Sequence, residues 1–136
     1  MRLGYAMGNE NLIIALNKIK NSVNSYTVDS LSIKAGIEAI KDKEWFQLTT
    51  QKVITTRNRV VEDLKAIGFY VIDSKANFIF ITHPICNAEK LFKSLKEMGV
   101  LVRYFEKPGI ENYIRVSIGT DAEMDTFLET ISTIIS

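Results

Sequence analysis

Two arginines stand where their side chains could bind the same anion. Arg103 directly follows the apolar run 100–102, and Arg115 lies inside the run 112–118. Both runs are short, apolar and bounded by turn-forming residues, which predicts two strands. If these strands are neighbours in a sheet, the two guanidinium groups converge. A guanidinium is planar, stays charged and donates paired hydrogen bonds to a carboxylate or a phosphate.

A second interpretation of these two residues stays open. A cation at the end of a strand is often solvated or forms half of a weak surface ion pair, and this description suits Arg103. Arg115 is harder to explain in that way, because it is flanked by Ile114 and Val116. A charge within a short apolar strand needs a partner.

Other reactive side chains lack the patterns that metal binding or nucleophilic catalysis requires. His83 is the single histidine, and no cluster of cysteine or acidic residues with zinc-ligand spacing surrounds it. Cys86 is the single cysteine, and the residues around it do not form the motif of a catalytic nucleophile. No glycine-rich nucleotide-binding motif is present. We therefore expect no metal ion.

The composition describes an ordinary globular domain. The chain has 136 residues, of which 46% are hydrophobic and 24% charged, so it can form a core of its own. Its 17 basic and 16 acidic residues are well mixed, which argues against nucleic acid as a partner. No apolar run is long enough to span a membrane. A single cysteine fits a cytoplasmic location, and a small-molecule substrate is the partner that we expect.

The elements that would position the arginines follow Gly68. Strands are predicted at 69–72, 77–82, 100–102 and 112–118, with one helix after Asn87 and a last helix after Thr120. Thr120 and Glu123 have the spacing of a capping box. The order β-β-α-β-β-α predicts an α+β fold, in which helices cover one face of a small antiparallel or mixed sheet.

The region before Gly68 is predicted to be mostly helical. A short buried strand is expected at 3–7, a helix capped by Asn9 or Asn11, and a loop at 21–25. A second helix should begin at Asp29 or Ser30, and a third should span 43–67 and end at Gly68. The residues expected to face inward on the second helix are Leu31, Ala35, Ala39 and Ile40.

Several short motifs occur along the chain. The longest is the run 102–120, V-R-Y-F-E-K-P-G-I-E-N-Y-I-R-V-S-I-G-T; the others are R-L-G-Y at 2–5, N-S-Y at 24–26 and S-K-A-N-F at 74–78. In this order they resemble the C-terminal portion of the histidinol-phosphate aminotransferases. These are fold-type I enzymes that use pyridoxal phosphate (PLP). The resemblance covers essentially the whole chain, and the run 102–120 is its most specific part.

The resemblance implies a role for individual residues. Arg2 matches the arginine that binds the phosphate of PLP, and Arg115 matches the arginine that binds the α-carboxylate of the amino-acid substrate. Arg103 matches an arginine that helps to bind the distal phosphate of histidinol phosphate. Asn77 lies in a motif near the substrate, where its amide could bind the substrate or serve the structure. Tyr26 would face the active site or the dimer partner.

The resemblance also implies which part of the active site is missing. In the family, the lysine that carries PLP lies a few residues before the arginine that matches Arg2, and that position falls before Met1. We therefore expect no catalytic residue in this chain, no activity of the chain by itself and no retention of PLP. Residues 1–42 would be a remnant of the large PLP-binding domain with linker helices, and 43–136 the small domain. The full-length parent would be a homodimer.

The parent reaction implied by the resemblance is reversible amino transfer between glutamate and imidazole-acetol phosphate, a step of histidine biosynthesis. Three alternatives stay open. Two are enzymes of the same fold, a threonine-phosphate decarboxylase and an aromatic aminotransferase. The third is a stand-alone, non-catalytic α+β interaction module. If the large domain is absent, the first two helices should expose apolar surface.

Overall fold

The computed structural model describes residues 3–135. The chain divides into two compact units, Met1–Gln47 and Leu48–Ser136. The elements are, in chain order, α1 (Glu10–Val23), α2 (Ser30–Lys41), α3 (Lys43–Ala66), β1 (Tyr70–Ile72), β2 (Phe78–Thr82), α4 (Ala88–Glu97), β3 (Arg103–Tyr104), β4 (Ile114–Ser117) and α5 (Asp121–Ile135). None of the helices in the described range 3–135 is long and apolar enough to cross a membrane.

In the first unit, α1 and α2 begin at the polar caps that the sequence predicts. The Asn9 side chain accepts a hydrogen bond from the backbone N–H of Asn11 at 2.9 Å. The Asp29 carboxylate likewise accepts from the backbone N–H of Ser32 at 2.8 Å. These bonds satisfy N–H groups that have no partner within the helix. The predicted caps are therefore confirmed.

Neither of these two helices buries a residue. Leu31 and Ile40 are 74% and 67% exposed, so the prediction that they face inward is wrong. Two short helices and an irregular segment offer too little surface to cover each other's apolar faces. The expected exposure of apolar surface on the first two helices is confirmed.

The segment 3–9 has no regular secondary structure, so the buried strand predicted at 3–7 is wrong. A strand needs a neighbour to satisfy its backbone N–H and C=O groups. The strands found in the described residues all belong to one sheet in the second unit. The predicted loop at 21–25 is also partly wrong, because α1 continues to Val23 before it ends at the cap residue Asn24.

The second unit contains a four-stranded sheet with the order β1-β2-β4-β3. All three pairings are antiparallel, which confirms the α+β prediction and selects the antiparallel form of the sheet. The third strand lies slightly later than predicted, at Arg103–Tyr104 instead of 100–102. The apolar residues at 100–102 resemble a strand in sequence, but backbone pairing with β4 begins only at Arg103.

Helices cover one face of this sheet and form the core with it. The buried apolar residues are Val60, Leu64, Phe69, Ile79, Ile81, Ala88, Leu91, Leu95, Ile114, Val116, Met124, Phe127 and Ile131. α4 is capped by Asn87, as predicted. At the start of α5, the backbone N–H of Thr120 donates to Glu123 Oε2 at 2.7 Å, and Glu123 N donates to Thr120 Oγ1 at 3.4 Å. The predicted capping box is thus confirmed, and its hydrogen bonds lower the pKa of Glu123.

A buried arginine of the long helix α3 forms a hydrogen bond to the backbone next to the sheet. Arg57 is 7% exposed, and its Nη1 donates to the carbonyl of Ala76 at 2.7 Å. That carbonyl lies just before β2, so the contact fixes where the strand begins. The helix ends as predicted at Gly68, whose φ of +92° is the left-handed conformation that glycine adopts without strain.

Candidate functional site

Arg103 and Arg115 lie directly opposite each other across the β3–β4 pair. Opposite residues in an antiparallel pair point to the same face of the sheet, with Cβ atoms about 4.5–5.5 Å apart. The structure therefore brings together the two arginines that the sequence singled out. Their strands are neighbours, which was the condition for convergence of the two guanidinium groups.

The arginine pair lies on the sheet face opposite the core. Along β4, Ile114 and Val116 are buried, whereas Arg115 between them is half-buried. Side chains alternate between the two faces of a strand, so Arg115 projects away from the core of the second unit. We call this side of the sheet the open face. Phe80 of β2 pairs with Arg115 and lies on the same face.

Two aromatic rings contact the Arg115 guanidinium. Its Cζ lies 5.2 Å from the centre of the Phe78 ring and 5.7 Å from that of Phe105. Arg103 Cζ lies 5.4 Å from the same Phe105 ring. A cation over an aromatic face gains about 0.5–1 kcal/mol at an exposed site and about 2 kcal/mol when it is desolvated. The rings therefore stabilise both cations without neutralising them.

Two further aromatic residues, Phe80 and Tyr113, extend these contacts, because Phe80 contacts both Phe105 and Tyr113. The Phe80 and Tyr113 rings stack with centroids 4.8 Å apart and an interplanar angle of 17°. Phe80 also meets Phe105 edge-on at 6.5 Å. Such pairs add about 0.5–1.5 kcal/mol beyond the area that they bury. The open face thus carries an aromatic cluster of Phe78, Phe80, Phe105 and Tyr113 beside the arginine pair.

The electrostatics of the pair are unusual for a structural site. Within residues 3–135, neither Arg103 nor Arg115 forms an ion pair with a carboxylate. Arg115 Nε is buried and has no hydrogen-bond partner in this part of the chain. Like charges directly opposite each other destabilise a sheet. An anion bound between the two guanidinium groups would relieve the repulsion and supply the missing acceptors.

Local hydrogen bonds set the positions of the two central strands. Ser74 Oγ accepts from Ala76 N at 3.1 Å and donates to the Phe78 carbonyl at 2.6 Å, which closes the turn before β2. Asn112, before β4, donates to Thr82 Oγ1 and accepts from Ala88 N, both at 3.2 Å. These bonds hold the register that places Arg115 beside Phe78.

The remaining candidate residues lie outside this cluster. Asn77 is exposed and lies just before β2, where its carbonyl accepts from the backbone N–H of Ile118 at 2.9 Å. This contact is structural and involves the main chain. Tyr26 is 92% exposed in the first unit. Arg2, the candidate ligand of the PLP phosphate, lies outside the described residues.

Sequence reasoning missed the aromatic residues. Phe78 appeared in a motif but received no role, and Phe80, Phe105 and Tyr113 were not singled out. The signal that could have found them is the period-two alternation of strands, which places 78 and 80 on one face of β2 and 113 and 115 on one side of the chain leading into β4. Their convergence depends on the pairing register, which the sequence alone does not specify.

A family comparison decides the classification of the chain. The model of the family described as aminotransferase class I and II matches residues 1–131. The chain belongs to this family. Its fold and the resemblance to PLP aminotransferases are therefore confirmed.

Individual members of the aminotransferase family give a closer match. The chain is 56% identical over 136 residues to a histidinol-phosphate aminotransferase of Clostridium botulinum, covering all of this chain and 38% of that protein. The chain thus spans a little over a third of the length of such relatives. The remainder of their length has no counterpart in the sequence given.

Solved aminotransferase structures share the fold. The histidinol-phosphate aminotransferase of Clostridium acetobutylicum superposes with a TM-score of 0.79 at 25% identity, over 86% of this chain and 36% of that one. The enzyme of Sinorhizobium meliloti, solved in complex with pyridoxal-5'-phosphate, gives a TM-score of 0.71 at 22% identity, over 88% of this chain and 34% of that one.

Proposed function

We propose that this chain supplies the substrate-anion side of the active site in a PLP-dependent histidinol-phosphate aminotransferase. The observation that carries the proposal is the placement of Arg103 directly opposite Arg115 with no carboxylate between them. Both reactants of this enzyme class are anions. The relatives named histidinol-phosphate aminotransferase, at 56% and 58% identity, support the choice of substrate.

Arg115 would bind the α-carboxylate of glutamate. It is half-buried beside the Phe78 and Phe105 rings, so a carboxylate that approaches it loses part of its hydration and gains stronger charge-assisted hydrogen bonds. Its planar guanidinium group can donate two parallel hydrogen bonds, which would orient the amino acid as well as bind it.

Arg103 would add the preference for a phosphate. Histidinol phosphate has no carboxylate, so its phosphate is the single strongly anionic group that can meet the pair. Three terminal oxygens and a charge near −2 give a phosphate enough acceptors for both guanidinium groups, whereas one carboxylate is satisfied by Arg115 alone. Arg103 is the more exposed of the two and can adjust to the larger group.

PLP would supply the aldehyde that receives the amino group and the ring that takes up the electron pair. Among the residues of this chain, Arg2 would bind the cofactor phosphate as a charge-assisted contact. The lysine that carries the cofactor would come from the polypeptide that precedes Arg2 in the longer protein. This chain by itself would then neither retain PLP nor turn over substrate, and its part in the reaction is to bind and orient the substrate.

The domain division forms part of the proposal. Residues 43–136 would act as the small domain, and residues 1–42 would belong with the large PLP-binding domain. The parent would be a cytoplasmic homodimer. The exposed apolar side chains of α1 and α2 support this division, since they offer a surface that a larger domain could cover.

Turnover by the longer protein that contains this chain tests the function. With histidinol phosphate and 2-oxoglutarate, we expect glutamate to accumulate. Arg115→Lys keeps the charge but loses the two parallel hydrogen bonds of the guanidinium group, and it should raise KM for 2-oxoglutarate and for histidinol phosphate. Arg103→Lys should raise KM mainly for histidinol phosphate. Absence of glutamate formation by the wild-type protein would reject the proposal.

A further inference from the structure

One phenylalanine ring is shared by both arginines of the open face. The Phe105 centroid lies 5.4 Å from Arg103 Cζ and 5.7 Å from Arg115 Cζ. The nearly equal distances mean that one ring contacts two like charges. Phe105 is half-buried and is supported edge-on by Phe80, so the ring is held in position.

The ring affects the two cations differently from a carboxylate. A carboxylate would attract both guanidinium groups, neutralise one of the two positive charges and occupy some of the donors. An aromatic face attracts cations through its quadrupole, uses none of the in-plane N–H groups and leaves the net charge unchanged. Arg103 and Arg115 can therefore be held close together and still present their donors to an incoming anion.

Few other contacts fix the guanidinium groups. Arg115 Nε has no hydrogen-bond partner among the described residues, and no ion pair holds either side chain there. A free arginine side chain samples many rotamers, and binding a ligand must then restrict them. A ring in contact with both side chains reduces that freedom before the ligand arrives. Binding to a prearranged pair costs less free energy than binding to a mobile one.

We propose that Phe105 is the positioning residue that sets the spacing of Arg103 and Arg115, so that the pair prefers a phosphate to a carboxylate. This inference rests on the proposed function for its biological meaning. A phosphate needs both cations at a fixed separation. A carboxylate needs one guanidinium group, that of Arg115, which the Phe78 ring helps to hold independently of Phe105. Loss of the Phe105 ring should therefore weaken phosphate binding more than carboxylate binding.

The structure offers a matched control on the other side of the sheet. Phe92 stacks on Tyr104 with centroids 5.9 Å apart and an interplanar angle of 26°. Both residues pack against the core, and Phe92 makes no ring contact with either arginine among the described residues. Phe92→Leu removes a half-buried ring next to the same strand. The change in anion affinity that Phe92→Leu causes measures the structural effect of losing a half-buried ring away from the arginines.

The test is a titration of the 136-residue chain with inorganic phosphate and, separately, with acetate, followed through the NMR signals of the arginine Nε–H groups. The wild-type chain should bind phosphate more tightly than acetate. Phe105→Leu should weaken phosphate binding about tenfold and acetate binding less than threefold. Phe105→Tyr keeps the ring and should restore the wild-type ratio, and Phe92→Leu should leave the ratio unchanged.

Two results would overturn the inference. One is a Phe105→Leu chain that keeps the wild-type ratio of phosphate to acetate affinity. The other is an equal loss for both anions in Phe105→Leu and Phe105→Tyr, which would indicate a structural effect. The readout is anion binding and needs no turnover. The longer protein could fail to convert histidinol phosphate while the 136-residue chain shows the predicted ratios of phosphate to acetate affinity. In that case the proposed function is rejected and the role of Phe105 stands.

Discussion

Thr56 on α3 donates a hydrogen bond to Asp121 at the start of α5, with an Oγ1–Oδ1 distance of 2.8 Å. Thr56 is 6% exposed, and the two residues are 65 positions apart in the chain. Arg59 adds weaker contacts to Asp121 and a 2.7 Å ion pair with Asp125. The first turn of α5 is thus attached to the long helix, and the backbone N–H of Ile118 before it donates to the carbonyl of Asn77, just before β2.

This attachment predicts an acid-sensitive contribution to stability. The hydrogen bond from Thr56, followed by that from Arg59, lowers the pKa of Asp121. A carboxyl whose pKa is lower in the folded state stabilises the fold above its unfolded-state pKa, and that contribution is lost as the pH falls below about 4. Asp121→Asn should therefore be less stable than wild type at pH 7, by a margin that shrinks at pH 3. Urea unfolding at both pH values measures it, and an unchanged margin would contradict the assignment.

Replacement of Arg57 by methionine should reduce stability by about 1–3 kcal/mol, because the part-buried Ala76 carbonyl loses its donor. Arg59→Met is the matched control on the same helix. Its ion pairs are partly exposed, and exposed pairs contribute at most about 1 kcal/mol. Chemical denaturation of the two variants gives the comparison. An equal loss of unfolding free energy in both variants would mean that the hydrogen bond from Arg57 to Ala76 contributes no more stability than the exposed ion pairs of Arg59.

Gly68→Ala and Gly99→Ala form a second matched pair. Both glycines have positive φ, +92° and +82°, so alanine at either position should cost about 1 kcal/mol or more in backbone strain. A Cβ at Gly68 would also lie 3.2 Å from His83 Nε2, whereas nothing lies within 4 Å at Gly99. Thermal unfolding should show the larger loss for Gly68→Ala. Equal losses would mean that His83 moves aside at no cost.

The isolated chain should associate through its first unit at high concentration. Leu12, Leu16 and Ile19 of α1 are 65%, 53% and 63% exposed, and they recur at helical spacing. Light scattering should report species larger than the monomer. The double substitution Leu16→Gln with Ile19→Gln should shift the population towards monomer. A clean monomer of the unmodified chain at millimolar concentration would refute this prediction.

The sequence predicted the parts of the fold that depend on local signals. Helix caps at Asn9, Asp29, Asn87 and Thr120 were found because the capping side chain lies within three residues of the N–H that it binds. The helix end at Gly68 is equally local. The element order from 69 onward followed from periodicity and from these caps.

Features that depend on distant residues could not be predicted in this way. The apolar segment 3–7 has the composition of a strand, but it pairs with no strand among the described residues. The run 100–102 is similarly strand-like, and backbone pairing places the strand at Arg103–Tyr104. The arginine pair was predicted because each arginine is a charged residue in or next to a short apolar run. The contact of the Phe105 ring with both arginines was not predicted, since it depends on the register of the β3–β4 pair.

The most direct test of the anion site is the thermal unfolding of the wild-type chain, Arg103→Gln and Arg115→Gln, each with and without phosphate. Because the two cations repel each other, either substitution should keep or raise the Tm without phosphate. Phosphate should raise the Tm of the wild type more than that of either variant, since binding to the native state stabilises it. The general stabilising effect of phosphate salts is common to all three chains and cancels. An equal rise in all three would contradict the claim that Arg103 and Arg115 form one anion-binding site.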